Sequence, residues 1–148
     1  AQAAILERDT AKPQTLAEAQ ASAAAEIDAL AGIARAQFIS TGPGQEMTYL
    51  KKEQQALAML AELDAAEAEE RDPDLPDDEF FLIYGEVGIT ADDLRGVAVA
   101  VADQATAWAP VAKVIETTRV GAKKQVREAD SVEAVDAILV ALMWPVAP

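Results

Sequence analysis

The sequence predicts an all-α fold: a helical hairpin plus C-terminal helices forming an elongated small bundle, with an extended N-terminal arm. Three observations predict it. Ala, the strongest intrinsic helix former, fills 34 of 148 positions. One Ala-rich helical pattern breaks at Gly42-Pro43-Gly44, and another begins within a few residues. From Leu94 to Ile115 apolar residues recur in alternating steps of three and four, the spacing of a helix face.

Residues 1–14 lack sustained periodicity and end in Lys12-Pro13-Gln14, the composition of an extended arm. Thr15-Leu16-Ala17-Glu18 has the form of a capping box, so a first helix starts there and runs to about Phe38. Ile27, Leu30, Ala34 and Phe38 give it a core stripe. Gly42 and Gly44 supply left-handed backbone and Pro43 denies an amide donor, so the chain turns before Glu46 enters a second helix. Leu50, Leu57, Leu60 and Leu63 mark that helix, which dissolves into acids and Ala by Arg71.

Asp72-Pro73-Asp74-Leu75-Pro76 reads as a loop. Its acids do not match a calcium loop: counted from Asp72, Pro76 falls where an oxygen ligand is needed, Asp77 where Gly is needed and Ile83 where Glu is needed. Asp77 or Asp78 is the expected cap of a short helix through Phe80, Phe81, Ile83 and Tyr84. Gly85 and Gly88 read as its C-caps, and Gly-Glu-Val-Gly is too short for a nucleotide loop.

Thr90-Ala91-Asp92-Asp93 resembles a second capping box. Beyond it Leu94, Val97, Val101, Gln104, Trp108, Val111 and Ile115 form a heptad seam, with Pro110 expected to kink or restart the helix after Trp108. Either the other helices of the chain fill this seam, or copies pack against each other with Gln104 helping to set register. Asp130, with Glu133 three residues on, is the expected cap of a last helix carrying Val135, Ile138, Leu139 and Leu142, ended by Trp144-Pro145. The count is five helices, in one bundle domain over 15–144 followed by a tail over 145–148.

Composition restricts function. The net charge of −14 repels phosphate backbones and anionic lipid, so neither nucleic acid nor membrane is an expected partner. Glu62 to Glu79 holds ten acids against Arg71 alone, whereas Lys113, Arg119, Lys123, Lys124 and Arg127 face only Glu116 within their run. These poles are either solvated faces or docking surfaces. The absence of Cys and His removes thiolate nucleophiles, the commonest general base and the commonest transition-metal ligands. No apolar run approaches the roughly 18 residues that span a bilayer. The Ala-Gln start fits removal of an initiator Met or a signal-peptide cut, and leaves the compartment open.

Glu46, Glu53, Glu86 and Glu116 have apolar neighbours, but each sits equally well on a helix surface, and Ser22, Ser40 and Ser131 lack a His base. The chain is therefore expected not to be an enzyme and to need no cofactor or metal. The residues expected to bind partners are Leu94, Val97, Val101, Gln104, Trp108, Lys123, Lys124 and Arg127.

The run from Arg35 through Gly42-Pro43-Gly44 to Ala56 resembles a segment of tail-associated proteins of tailed bacteriophages. The second half is similar to their C-terminal module: a Thr-initiated helix, here from Thr90 with Trp108, then a basic helix, then a run matched by Ala129, Ser131, Glu133, Val135, Ala137 and Ile138. The resemblance covers roughly residues 27 to 140 and departs in lacking the β-rich N-terminal portion of many such proteins. It implies a structural, adaptor or assembly role at the tail fibre or baseplate, with other tail proteins or further copies as partners. The implied location is the virion tail, after the host cytoplasm. A tail-fibre assembly chaperone and a carboxylate-dependent hydrolase are the alternatives.

Overall fold

The computed structural model describes residues 14–39 and 44–148. Of these, 72% are helical, in five helices and no strand, so the all-α expectation holds. The helices are α1 (Leu16–Ala36), α2 (Gln45–Ala68), α3 (Phe81–Tyr84), α4 (Leu94–Glu128) and α5 (Val132–Ala141). The arm expected over residues 1–14 lies almost wholly outside the described residues, as do Gly42 and Pro43 of the expected corner.

Chain contacts divide the protein into two units, one within Ala1–Ser40 and Pro110–Pro148, the other Thr41–Ala109. The boundary inside α4 falls at Pro110. The expected restart there does not occur: α4, 35 residues in all, runs unbroken from Leu94 to Glu128 with Pro110 inside it.

In the first unit α1 packs on α5 and on the later part of α4. Ile27, Leu30, Ile115, Val126, Val135 and Leu139 are buried, with Ala19, Ala23, Ala31, Ala34 and Ala122 between them. So many Ala residues in the core let helices approach closely at the cost of apolar area per residue. The Thr15 hydroxyl accepts from the Glu18 amide at 3.1 Å, so Thr15 is the expected N-cap, but the Glu18 carboxylate accepts from that hydroxyl at 3.1 Å in place of the Thr15 backbone amide of a full capping box. At the other end of the chain the cap is Ser131, whose hydroxyl accepts from the Ala134 amide at 3.0 Å; the adjacent Asp130 does not take that place.

In the second unit Ala56, Met59, Phe80, Ile83, Val97, Ala98 and Val101 form one buried cluster, with Leu60, Leu63, Leu75 and Leu94 packed against it. α3 is pinned to α2 by Gln55, whose side-chain oxygen accepts from the Leu82 amide at 3.0 Å, and by the Lys52–Glu86 ion pair at 2.7 Å. Neither Asp77 nor Asp78 caps α3: Phe80 occupies that position without a side-chain bond. Gly85 is the C-cap, and Gly88, at φ +84°, holds a left-handed turn that lets its amide reach the Ala91 carbonyl at 2.7 Å. The Thr90 hydroxyl turns back to Glu86, so α4 is capped instead by Asp93, which accepts from the Gly96 amide at 2.7 Å.

Candidate functional site

The heptad seam of α4 is buried within the units only toward its two ends, at Val97, Val101 and Ile115. Val97 (0% exposed) and Val101 (7%) lie in the second unit's core, with Leu94 half-buried beside them, and Ile115 (0%) lies in the first unit's core. Trp108 and Val111 are half-buried, and Gln104 is exposed. Leu94, Val97 and Val101 are thus core residues where partner contacts were expected.

Two cations of the basic run, Arg119 and Lys123, are engaged within the fold. Arg119 sets two guanidinium nitrogens on Glu116, at 3.0 and 2.7 Å, and a third on Asp28 at 3.0 Å. Lys123 bonds both oxygens of Asp28, and Arg35 reaches Glu116 at 3.2 Å. Five charges therefore form a network between α1 and α4. The Lys123 hydrogen bond holds the Asp28 carboxyl below its usual range, with Arg119 adding to it, and Arg119 does the same for Glu116. Lys123 is spent inside the fold, while Lys124, 3.9 Å from Glu128, and Arg127 stay on the surface.

The carboxylates weighed for acid–base chemistry do not assemble. Burial would raise the Glu86 pKa, but hydrogen bonds from Lys52 and Thr90 outweigh it and hold the carboxyl low, opposite to a general acid. Glu116 sits in the surface network, and Glu46 and Glu53 lie on α2. No group of three or more metal-ligating side chains is found among the described residues. A groove of about 320 Å³ between α4 and α5 is lined by Thr117, Thr118, Gly121, Ala122, Gln125, Ile138, Ala141, Leu142 and Met143, none of them charged. Another, of about 390 Å³, holds Gln20, Lys123 and Arg127, but the Gln20 amide is committed to the carbonyls of Val126, Arg127 and Ala129 and Lys123 to Asp28. No helix among the described residues is long and apolar enough to cross a membrane.

What stands out is the exposed apolar surface of α2. Leu60 and Leu63 pack on the second unit's core, but Leu50 and Leu57, at the same helical spacing, are 57% and 53% exposed, and Met47 is 78% exposed. At about 100° per residue, Met47, Leu50, Gln54, Leu57 and Ala61 lie on the side of α2 opposite Gln55, Met59 and Ala66. Phe81 and Ile89, 53% and 82% exposed, add apolar surface to the same unit.

The chain matches no protein-family model, no curated protein and no solved structure.

Proposed function

We propose that the protein is a non-enzymatic structural component of a bacteriophage tail, an adaptor or hinge at the fibre or baseplate that works by helix packing and by docking of its N-terminal segment. The observation that carries the protein-binding part is the exposed apolar side of α2, with Met47, Leu50 and Leu57 all more than half exposed in a chain of net charge −14. Such surface in a highly charged protein is suited to a protein neighbour. The tail assignment rests on the resemblance carried by Arg35 to Ala56 and by Ala129 to Ile138. Glu86 is tied to Lys52 and Thr90, and Glu116 to Arg119 and Arg35, so neither stands free for acid–base work, which favours this reading over a carboxylate-dependent hydrolase.

Quantitative mass spectrometry of purified particles of the encoding phage is the test. The expected result is a fixed number of copies per particle. Absence from particles that nonetheless need the protein for fibre attachment would replace this reading with an assembly chaperone. Absence with intact infectivity would remove both.

A further inference from the structure

We infer that the outward face of α2 seats a cationic amphipathic helix supplied by another protein. This rests on the protein-binding part of the reading above and names the chemistry of the partner. A helix at the surface of a soluble protein buries one stripe and presents polar residues opposite. α2 departs from that pattern: Gln55, Ala56, Met59 and Ala66 face the core, yet Met47, Leu50 and Leu57 hold the far side. With Gln54 and Ala61 they step by three and four, the spacing along which one helix receives another. Ala58 and Ala61, both exposed on this side, leave room for a second backbone to approach closely.

Charge selects the occupant. Residues 41–109 carry sixteen Asp and Glu against four Lys and Arg, a net −12 of the chain's −14. Three of those four cations are already held within the unit: Lys52 by Glu86, Arg71 by Glu62 and Glu69, Arg95 by Asp64 and Glu67. The last turn of α2 carries no basic residue. Two copies meeting through this face would each bring the same negative field, which opposes self-pairing. A helix with Leu-type residues at heptad positions and Lys or Arg beside them matches both the stripe and the field.

The test uses the full chain and two synthetic three-heptad peptides with Leu at both core positions, one flanked by Lys and the other by Glu. Binding is measured by fluorescence anisotropy at several salt concentrations, with the Leu50→Gln/Leu57→Gln double variant alongside, its folding checked by circular dichroism. The Lys peptide should bind and the Glu peptide should not, and the double variant should bind the Lys peptide at least about tenfold more weakly. Equal binding by the double variant would overturn the proposal, since attraction would then be charge alone. No binding of the Lys peptide would also overturn it. If, in addition, the wild-type chain self-associates and the double variant does not, the occupant is a second copy. Particle mass spectrometry bears only on the tail assignment: a chain missing from virions that still binds the Lys peptide through Leu50 and Leu57 loses that assignment and keeps this one.

Discussion

Asp28 holds Lys123 through both carboxylate oxygens, at 3.1 and 3.0 Å, joining α1 to α4 across 95 residues of sequence. Arg119 shares Asp28 and carries the link on to Glu116 and Arg35. Two of the five cations of the basic run, Arg119 and Lys123, therefore act as a clasp within their own unit.

That clasp makes stability depend on pH. Folding lowers the Asp28 pKa, so the folded form binds fewer protons there than the unfolded chain. Its contribution is full above the ordinary carboxylate pKa near ~4 and is lost as pH falls through the lowered value. Because Asp28 and its partners are partly exposed, Asp28→Asn should cost only about 0.2–1 kcal/mol at pH 7. The difference in urea midpoint between wild type and variant should begin to shrink below pH ~4 and approach zero only once the pH is below the lowered Asp28 value. A constant gap would show that the loss is packing rather than charge.

Gln20 closes the end of α4: its side-chain amide donates to the carbonyls of Val126 at 3.0 Å, Arg127 at 3.3 Å and Ala129 at 3.4 Å. Those carbonyls lie where a helix runs out of its own donors. Gln20→Ala should lower stability by about 1 kcal/mol and speed amide hydrogen exchange in the last turns of α4, with overall helix content unchanged.

Two glycines of α4 should respond in opposite directions to Ala. A Cβ at Gly96 would meet the Ala91 Cβ at 2.8 Å and the capping oxygen of Asp93 at 3.0 Å, whereas one at Gly121 meets nothing within 4 Å. Gly121→Ala should raise stability by roughly 0.5–1 kcal/mol from helix propensity alone. Gly96→Ala gains the same propensity but must displace its cap, and a net loss of about 1–2 kcal/mol is expected in thermal melts.

The heptad seam gives a further contrast. Val97 is fully buried among Met59, Phe80 and Ile83, so Val97→Ala should cost about 2 kcal/mol. Gln104 is exposed, and Gln104→Ala should change stability by less than about 0.5 kcal/mol. A larger effect at Gln104, appearing only at high protein concentration, would show copies pairing along the seam.

The helices were legible because each carries its own periodic apolar residues, and Thr15 was legible as a cap because its partner Glu18 lies three residues away. Caps were misplaced where two competent residues stood within one turn of each other. Ser131 displaced Asp130, and Thr90 gave way to Asp93 because the Thr90 hydroxyl is drawn to Glu86. The two sides of α2 are hard to separate in the sequence because Leu57 and Leu60 lie only about 60° apart around the helix, although Leu50 and Leu57 lie about 120° or more from Leu63. The fate of Lys123 was not readable at all, since nothing local to it announces Asp28. Long-range pairing decides whether a basic run is a docking surface or a clasp.

With Val97, Val101 and Ile115 buried within the units, α4 should offer no seam along which copies of the chain pair. Light scattering of the purified full chain over a wide range of concentration tests it most directly. The predicted result is a mass of 15.6 kDa at every concentration. A stable trimer or hexamer that persists on dilution would contradict the claim and make a surface of this chain an interface between copies.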